Sequence, residues 1–375
     1  MGKIKAFFKK KDVVLSGKRY GIDALGAMAQ GLFCTLLVGT ILNTIGKQFN
    51  VGFLNTVVAT ISNADKSVKI GFTIGDLASK MVGPGIAVAI GFALHCPPLV
   101  LFSLIPIGFA TDAMGGAGGP LAVYVVAVVA TECGKLVSKE TKIDILVTPV
   151  VTILVGIGLA ALVAAPIGAA ANAVGKAVMW ATELQPLLMG IVVSVLVGIA
   201  LTLPISSAAI CASFGLVGLA GGAAVAGCCA QMVGFAVMSF KENRWGGLVA
   251  QGIGTSMLQM PNIIKNPRIW IPPTLASAIT GPLATCVFNL RMNGGAVNSG
   301  MGTCGFCGPI GVWTGWVNPS EVAVEAGEVA MTPGIMDWVG LALICIVLPA
   351  ILSWAFCAVL RKWGWIKEND LKLDL

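Results

Sequence analysis

The apolar positions of this chain come in long runs, not in stripes. From Gly21 to Leu360, stretches of membrane-spanning length with few or no charges follow one another, as in Ile145–Ala171, Leu187–Leu203 and Ile335–Leu360. A helix that crosses a bilayer needs about 20 such residues. The runs do not alternate apolar with polar residues as the strands of a membrane barrel do. They predict an all-α polytopic membrane protein with about ten transmembrane helices. Single crossings are expected at 22–46, 51–79, 84–110, 119–134, 144–168, 187–203, 269–290 and 334–360, and a pair within 205–240, which is too long for one span.

Two stretches break the pattern. RMNGGAVNSGMGTCGFCGPIG, Arg291–Gly311, holds seven glycines in 21 residues, and glycine in a helix interior costs roughly 1 kcal/mol relative to alanine. GGLVAQGIGTSMLQMP, residues 246–261, is glycine-rich and short for a span. With Lys265 inside and Glu321 outside, the span 269–290 already makes that transition, so residues 292–317 must enter and leave on one side. Both stretches are therefore expected to be re-entrant hairpins, the earlier one entering from the cytoplasm. Irregular backbone at membrane depth survives only inside protein or along a watery cavity, and broken helices are where secondary transporters bind substrate. Close packing of helices through small residues is the other use of such glycines.

Charge orients the chain. Only 11% of the 375 residues are charged, against 57% hydrophobic; a soluble domain carries about 25% charged residues. The net charge of +7 is not gathered into a nucleic-acid surface, since seven of the 24 Lys and Arg (Lys3, Lys5, Lys9, Lys10, Lys11, Lys18, Arg19) precede the first apolar run. That places the N-terminus in the cytoplasm. Gly21–Ile45 is long and lacks a following small-residue cleavage site, so it is expected to be a retained span and not a signal peptide. The loops Gly134–Lys142, Lys241–Arg244 and Lys265–Arg268 and the tail Arg361–Lys367 are basic and expected inside, whereas Asn318–Pro333, with three Glu and no Lys or Arg, is expected outside. The chain thus divides into a basic cytoplasmic segment (1–20), a transmembrane domain (21–360) and a cytoplasmic tail (361–375). The opening MGKIKAFFKKK is either an interfacial amphipathic helix, with Ile4, Phe7 and Phe8 on its apolar side, or a solvated tail.

Little in the sequence suggests bond-making chemistry. The eleven cysteines mostly lie in apolar runs and are expected to be small buried thiols. Cys304 and Cys307 form a C-x-x-C, but zinc needs four ligands and a thioredoxin-like pair needs a βαβ context. No phosphate loop, serine elbow or H-E-x-x-H occurs, and no resident cofactor is implied. Intramembrane ionisable residues are functional candidates by default. His95, in ALHCPPLV, is expected mid-span beside a helix-breaking double proline, as a core residue or a substrate contact. Asp112 precedes the first glycine cluster as a cap or a contact. Glu132 is expected to pair with Lys135 or Lys139, and Asp337 to sit at a helix N-terminus.

Gln251, Thr255, Ser256, Gln259 and Asn262 offer hydrogen bonds without net charge, which suits a neutral hydroxylated ligand. Asn293, Asn298, Ser299 and Thr303 do the same in the second hairpin. Trp270, Trp313 and Trp316 are candidates to stack on a sugar face, with the interfacial belt the leading role for Trp270 and Trp316. A transporter of a small polar solute is expected, with Asn293, Asn298, Ser299, Thr303, Gln259 and Asn262 as hydrogen-bonding ligands and His95 or Asp112 as ionisable contact. The alternative is a membrane sensor that binds a solute without moving it.

MGGAGGPLAVYV (114–125) and MGTCGFCGPIGVWT (301–314) share M-G, a further G and G-P-(L/I)-x-V, a faint echo half a chain apart. GTSMLQMPNIIKNPRIWIPPTLASAITGP and GMGTCGFCGPIG, with GGAGGPLAV and TKIDILVTP earlier, resemble the EIIC-like family of phosphotransferase-system membrane proteins, in the group that includes perfringolysin-regulator-like proteins. The resemblance covers nearly the whole chain. It implies a ten-helix fold with re-entrant hairpins, a homodimer, a bacterial inner-membrane location and sugar translocation. The glutamate of the G-I-T-E-P motif of glucose-type permeases has no counterpart here; the hairpin offers Thr303 and amides instead. With no phosphocarrier domain in the sequence, phosphorylation of a sugar would need separate EIIA- and EIIB-type partners.

Overall fold

The computed structural model describes residues 7–14, 16–62 and 69–373. Ile4 of the expected amphipathic segment lies outside the described residues; residues 7–10 are helical. The described residues are 78% helical, and their strands form one two-stranded hairpin. It separates into two compact units, Met1–Asn43 with Leu54–Ala170, and Thr44–Phe53 with Ala171–Leu375.

α1 (Arg19–Lys47), which lies in the first unit as far as Asn43, is a span. Residues 51–79, expected as the second crossing, are not one. β1 (Ala59–Ser62) pairs antiparallel with β2 (Lys69–Phe72), Thr60 opposite Gly71 and Ile61 opposite Ile70. Branched Val57, Val58, Thr60 and Ile61 favour extended backbone, so apolar density here reports strand, not span. Helix resumes where Thr73 and Asp76 form a reciprocal capping box. From there α2 (Ile74–Lys80) and α3 (Val82–Ala93) run on with a 53° bend between them.

Residues 98–137 are continuous apolar helix by length, but they fold back on themselves. Gly116 has φ +52, a conformation glycine adopts without steric cost, and a single turn over Gly116–Gly118 joins α4 (Pro98–Gly115) to α5 (Gly119–Val137). At the far end of this hairpin a Cβ on Gly134 would come within 2.8 Å of Val100. α6 (Asp144–Thr182) is 39 residues long, about 58 Å at 1.5 Å per residue. Its most apolar window is only 22% buried, so most of its apolar surface faces away from protein.

The second unit is built around α9 (Gly218–Met238), whose window is 89% buried. Glycine, alanine and cysteine let neighbours approach it from all sides, as expected of a helix apolar all round. α7 (Pro186–Thr202), α12 (Ile271–Pro282) and α16 (Ile335–Lys362) pack around it. Residues 205–240 are not a pair of spans: the short α8 (Ser207–Ser213) ends in a break at Gly215 and Gly218, both at positive φ, and α9 alone has spanning length. Residues 246–261 are broken as expected: α10 (Phe240–Val249) passes through irregular turns into α11 (Met260–Lys265). Among the described residues five helical stretches are long and apolar enough to cross a membrane, the folded-back α4–α5 pair being counted as one, or six counting the bent α2–α3 pair.

Candidate functional site

The glycine-rich hairpin is held by backbone contact on two sides. Its descending arm pairs with the start of α9, where Gly218 and Met292 exchange N–H···O bonds of 2.9 Å each. A Cβ on Gly222 would fall 1.7 Å from the Leu290 carbonyl, and one on Gly302 (φ +52) 2.7 Å from the Cys228 backbone. After α13 (Ala296–Ser299) the chain turns at Phe306, left-handed at φ +58, into α14 (Cys307–Val317). Gly308, Gly311 and Gly315 of α14 lie against Gly302, Asn298 and Asn293–Gly294 respectively. The glycines thus serve close packing, and they fix the irregular arm between two helices.

Within this packing some polar groups are left over. Asn293 and Thr303 are each 1% exposed, yet neither atom of the Asn293 amide nor the Thr303 hydroxyl has a hydrogen-bond partner among the described residues. A buried polar group without a partner costs about 1–3 kcal/mol, so such groups mark sites where something else completes the bond. Asn293 packs at the Gly315 end of the α14 glycine stripe, and Gly302, next to Thr303 in sequence, packs at the Gly308 end. Ser299 is committed, donating to the Leu216 carbonyl at 2.6 Å. Asn298 is half-buried, packed on Gly311. Cys307 lies 3.2 Å from the Thr44 hydroxyl.

Gln259 and Asn262 belong to a different cluster. Asn262 donates to Gln259 (2.9 Å) and Gln259 to Gln251 (2.8 Å), which donates to Ser239 (2.8 Å). The tail closes over them: Gln259 also donates to the Leu371 carbonyl (3.0 Å), Asn262 to that of Lys372 (2.8 Å) and Asn243 to that of Leu371 (2.7 Å). The segment expected as a cytoplasmic tail is therefore docked, with Leu371 fully buried. The basic loop Lys241–Arg244, the loop Lys265–Arg268 and the tail meet here, through Lys241–Glu368 (2.7 Å) and Asn266–Asp370 (2.8 Å).

His95 and Asp112 fall in the first unit, and the structure does not bring them together. His95 lies just before α4 and Asp112 near its far end, about 21 Å from Pro98 along the axis. His95 is not mid-span: the double proline ends α3 and starts α4, leaving His95 exposed in a left-handed turn at φ +55. Asp112 is half-buried, its carboxylate against Gly119. The expected pairing of Glu132 with Lys135 is present at 3.1 Å, and Asp337 accepts from the Gly334 N–H as a helix-terminal partner. Trp316 is 1% exposed and edge-on to Trp338, so it is a core residue, neither a belt nor a stacking surface.

Sequence reasoning passed over Gln231. Fully buried midway along α9, it accepts from Trp270 Nε1 (3.0 Å) and Thr202 (3.3 Å) and donates to Thr274 (3.3 Å). One carboxamide in an apolar run of 21 residues was the signal available, and it binds three helical segments together.

A family model described as "Phosphotransferase system, EIIC" matches residues 22–373, from the first span to the docked tail. The chain is a member of the EIIC family. EIIC proteins are the membrane-embedded, sugar-transporting components of phosphotransferase systems, and the multi-pass helical fold of this EIIC accords with that. Among curated proteins and among solved structures none matches it. The two echoing stretches of this EIIC are also alike in form: in each, a positive-φ glycine and a single tight turn precede a helix that opens within three residues on Gly-Pro.

Proposed function

We propose that this EIIC carries a small neutral hydroxylated solute, a sugar or polyol, through the second unit by alternating access. The solute would be held at the glycine-rich hairpin by Asn293 and Thr303, with Asn298 and Ser299 beside them. The observation that carries the reading is the pair of buried polar side chains without partners in a rigidly packed, non-helical arm. A hydroxyl can both donate to the amide oxygen and accept from its nitrogen, and no carboxylate is needed for a neutral ligand. Gln259 and Asn262 would reach a solute only in a state in which the tail has released them. His95 and Asp112 are too far apart to contact one small solute together, and of the two Asp112, beside the first glycine turn, is the better placed. The protein would act as a homodimer in the bacterial inner membrane with both termini cytoplasmic, EIIA- and EIIB-type phosphocarriers on other chains supplying the phosphoryl group.

The test is uptake by liposomes containing the purified protein, with radiolabelled glucose, mannitol, N-acetylglucosamine and sucrose, alone and with phosphocarrier proteins. Accumulation or exchange of any of these, lost in Asn293→Ala and Thr303→Ala at unchanged protein content, supports the reading. Uptake that both variants retain overturns the assigned site.

A further inference from the structure

The C-terminal end of α9, the start of α10 and the last turns of α16 enclose a half-open cavity of about 490 Å³. Its wall is of two kinds. Lys241, Arg244 and Arg361 bring three cationic heads, and Leu248, Trp354 and Cys357 bring apolar surface. The carboxylates nearby do not balance the cations. Glu242 holds Arg361 at 2.6 Å and Glu368 holds Lys241 at 2.7 Å, while Arg244 makes no ion pair among the described residues. Arg244 is also strained, at φ 52 and ψ −151 within α10, a conformation that belongs to glycine and that persists in proteins mainly at ligand clamps and switches.

The apolar half of the wall narrows the ligand. Trp354 is 61% exposed about two turns before the end of α16, and Trp245, next to Arg244 on α10, is 71% exposed; exposed tryptophans near the ends of spans belong at the membrane–water interface. A free phosphate or a sugar phosphate would use the cations and leave Leu248 and Trp354 uncovered. A phospholipid uses both, and basic pockets beside spanning helices attract anionic headgroups. We propose that this cavity binds the phosphodiester headgroup of an anionic phospholipid of the phosphatidylglycerol type, with an acyl chain against Leu248 and Trp354. The site is separate from the glycine-rich hairpin and stands whether or not that hairpin binds a sugar.

Native mass spectrometry of the purified protein, titrated with phosphatidylglycerol, phosphatidylcholine, glycerol 3-phosphate or inorganic phosphate, tests this. Phosphatidylglycerol should bind at least fivefold more tightly than phosphatidylcholine, and Arg244→Gln should weaken it about fivefold, the worth of one cation near an anionic surface. Arg244→Gly, which suits the backbone at that position, should keep the fold and show the same loss; Lys142→Gln should show none. Equal binding of the two lipids, or no loss in either Arg244 variant, overturns the proposal. Glycerol 3-phosphate binding as tightly as the lipid also overturns it, in favour of a soluble phosphate site.

Discussion

The side-chain amide of Gln259 donates to the backbone carbonyl of Leu371 at 3.0 Å, joining positions 112 residues apart. The same nitrogen serves Gln251, and Gln259 Oε1 receives Asn262. Gln259→Ala would remove three hydrogen bonds and leave Gln251 Oε1 without a partner, at about 1–3 kcal/mol, while Asn243 still serves Leu371 and Lys372 still serves Asn262. Leu371→Ala would remove a fully buried side chain, at about 2–5 kcal/mol. Both variants should unfold at clearly lower temperature than the parent, as read by thermal denaturation in detergent. A Gln259→Ala protein as stable as the parent would show that the tail is not anchored there.

The hairpin glycines divide into those that cannot accept a side chain and those that can. A Cβ on Gly302 meets the Cys228 backbone at 2.7 Å at positive φ, whereas a Cβ on Gly295 meets nothing within 4 Å. Gly302→Ala should sharply lower folded yield in the membrane; Gly295→Ala should leave yield and thermal stability within about 0.5 kcal/mol of the parent. Equal behaviour of the two would mean that the arm is not clamped between α9 and α14.

Spans are legible in a sequence because crossing a bilayer is a constraint on length and polarity alone. That constraint found α1 and α16 and the irregular character of 246–261 and 292–317. It misled at 51–79, where branched residues made a strand hairpin, and at 205–240, where Gly215 and Gly218 turn the chain. The candidate side chains were readable by type, but not by partner. Nothing in the sequence says that Gln259 and Asn262 would be taken by carbonyls of the tail while Asn293 would be left without one, because both outcomes depend on contacts across the fold.

Asp12 gives the first unit a pH dependence. Arg19 donates to both of its carboxylate oxygens, at 3.1 and 2.5 Å, and this hydrogen bonding holds the Asp12 carboxyl below its ordinary range, assisted by the charges of Arg19 and Lys135. A lowered folded-state pKa means the group stabilises the fold at neutral pH, above the unfolded value of about 3.9, and that this contribution is lost as pH falls through the folded value. The carboxylate is half exposed, so solvent screening keeps the effect below about 1 kcal/mol. Asp12→Asn should therefore melt slightly below the parent at pH 7, and the gap should close as the pH falls below about 4. A gap that persists undiminished into acid would show that the carboxylate charge is not its source.

Asn293 should behave in the opposite way to Gln259. Its amide has no hydrogen bond to lose among the described residues, so Asn293→Ala removes a desolvated polar group and leaves a small void. These two effects oppose one another, at about 1–3 kcal/mol for the unpaired amide and a smaller cavity cost. The variant should melt at or above the temperature of the parent in the absence of solute. If the amide is there to meet a hydroxyl, a transported sugar should raise the melting temperature of the parent, by mass action on the folded state, and should not raise that of Asn293→Ala. A gain in ligand-free stability together with a lost response to sugar is the trade that binding sites make. A fall in stability as large as that of Gln259→Ala, with the sugar response intact, would instead make Asn293 a structural residue and move the search for the ligand elsewhere in the hairpin.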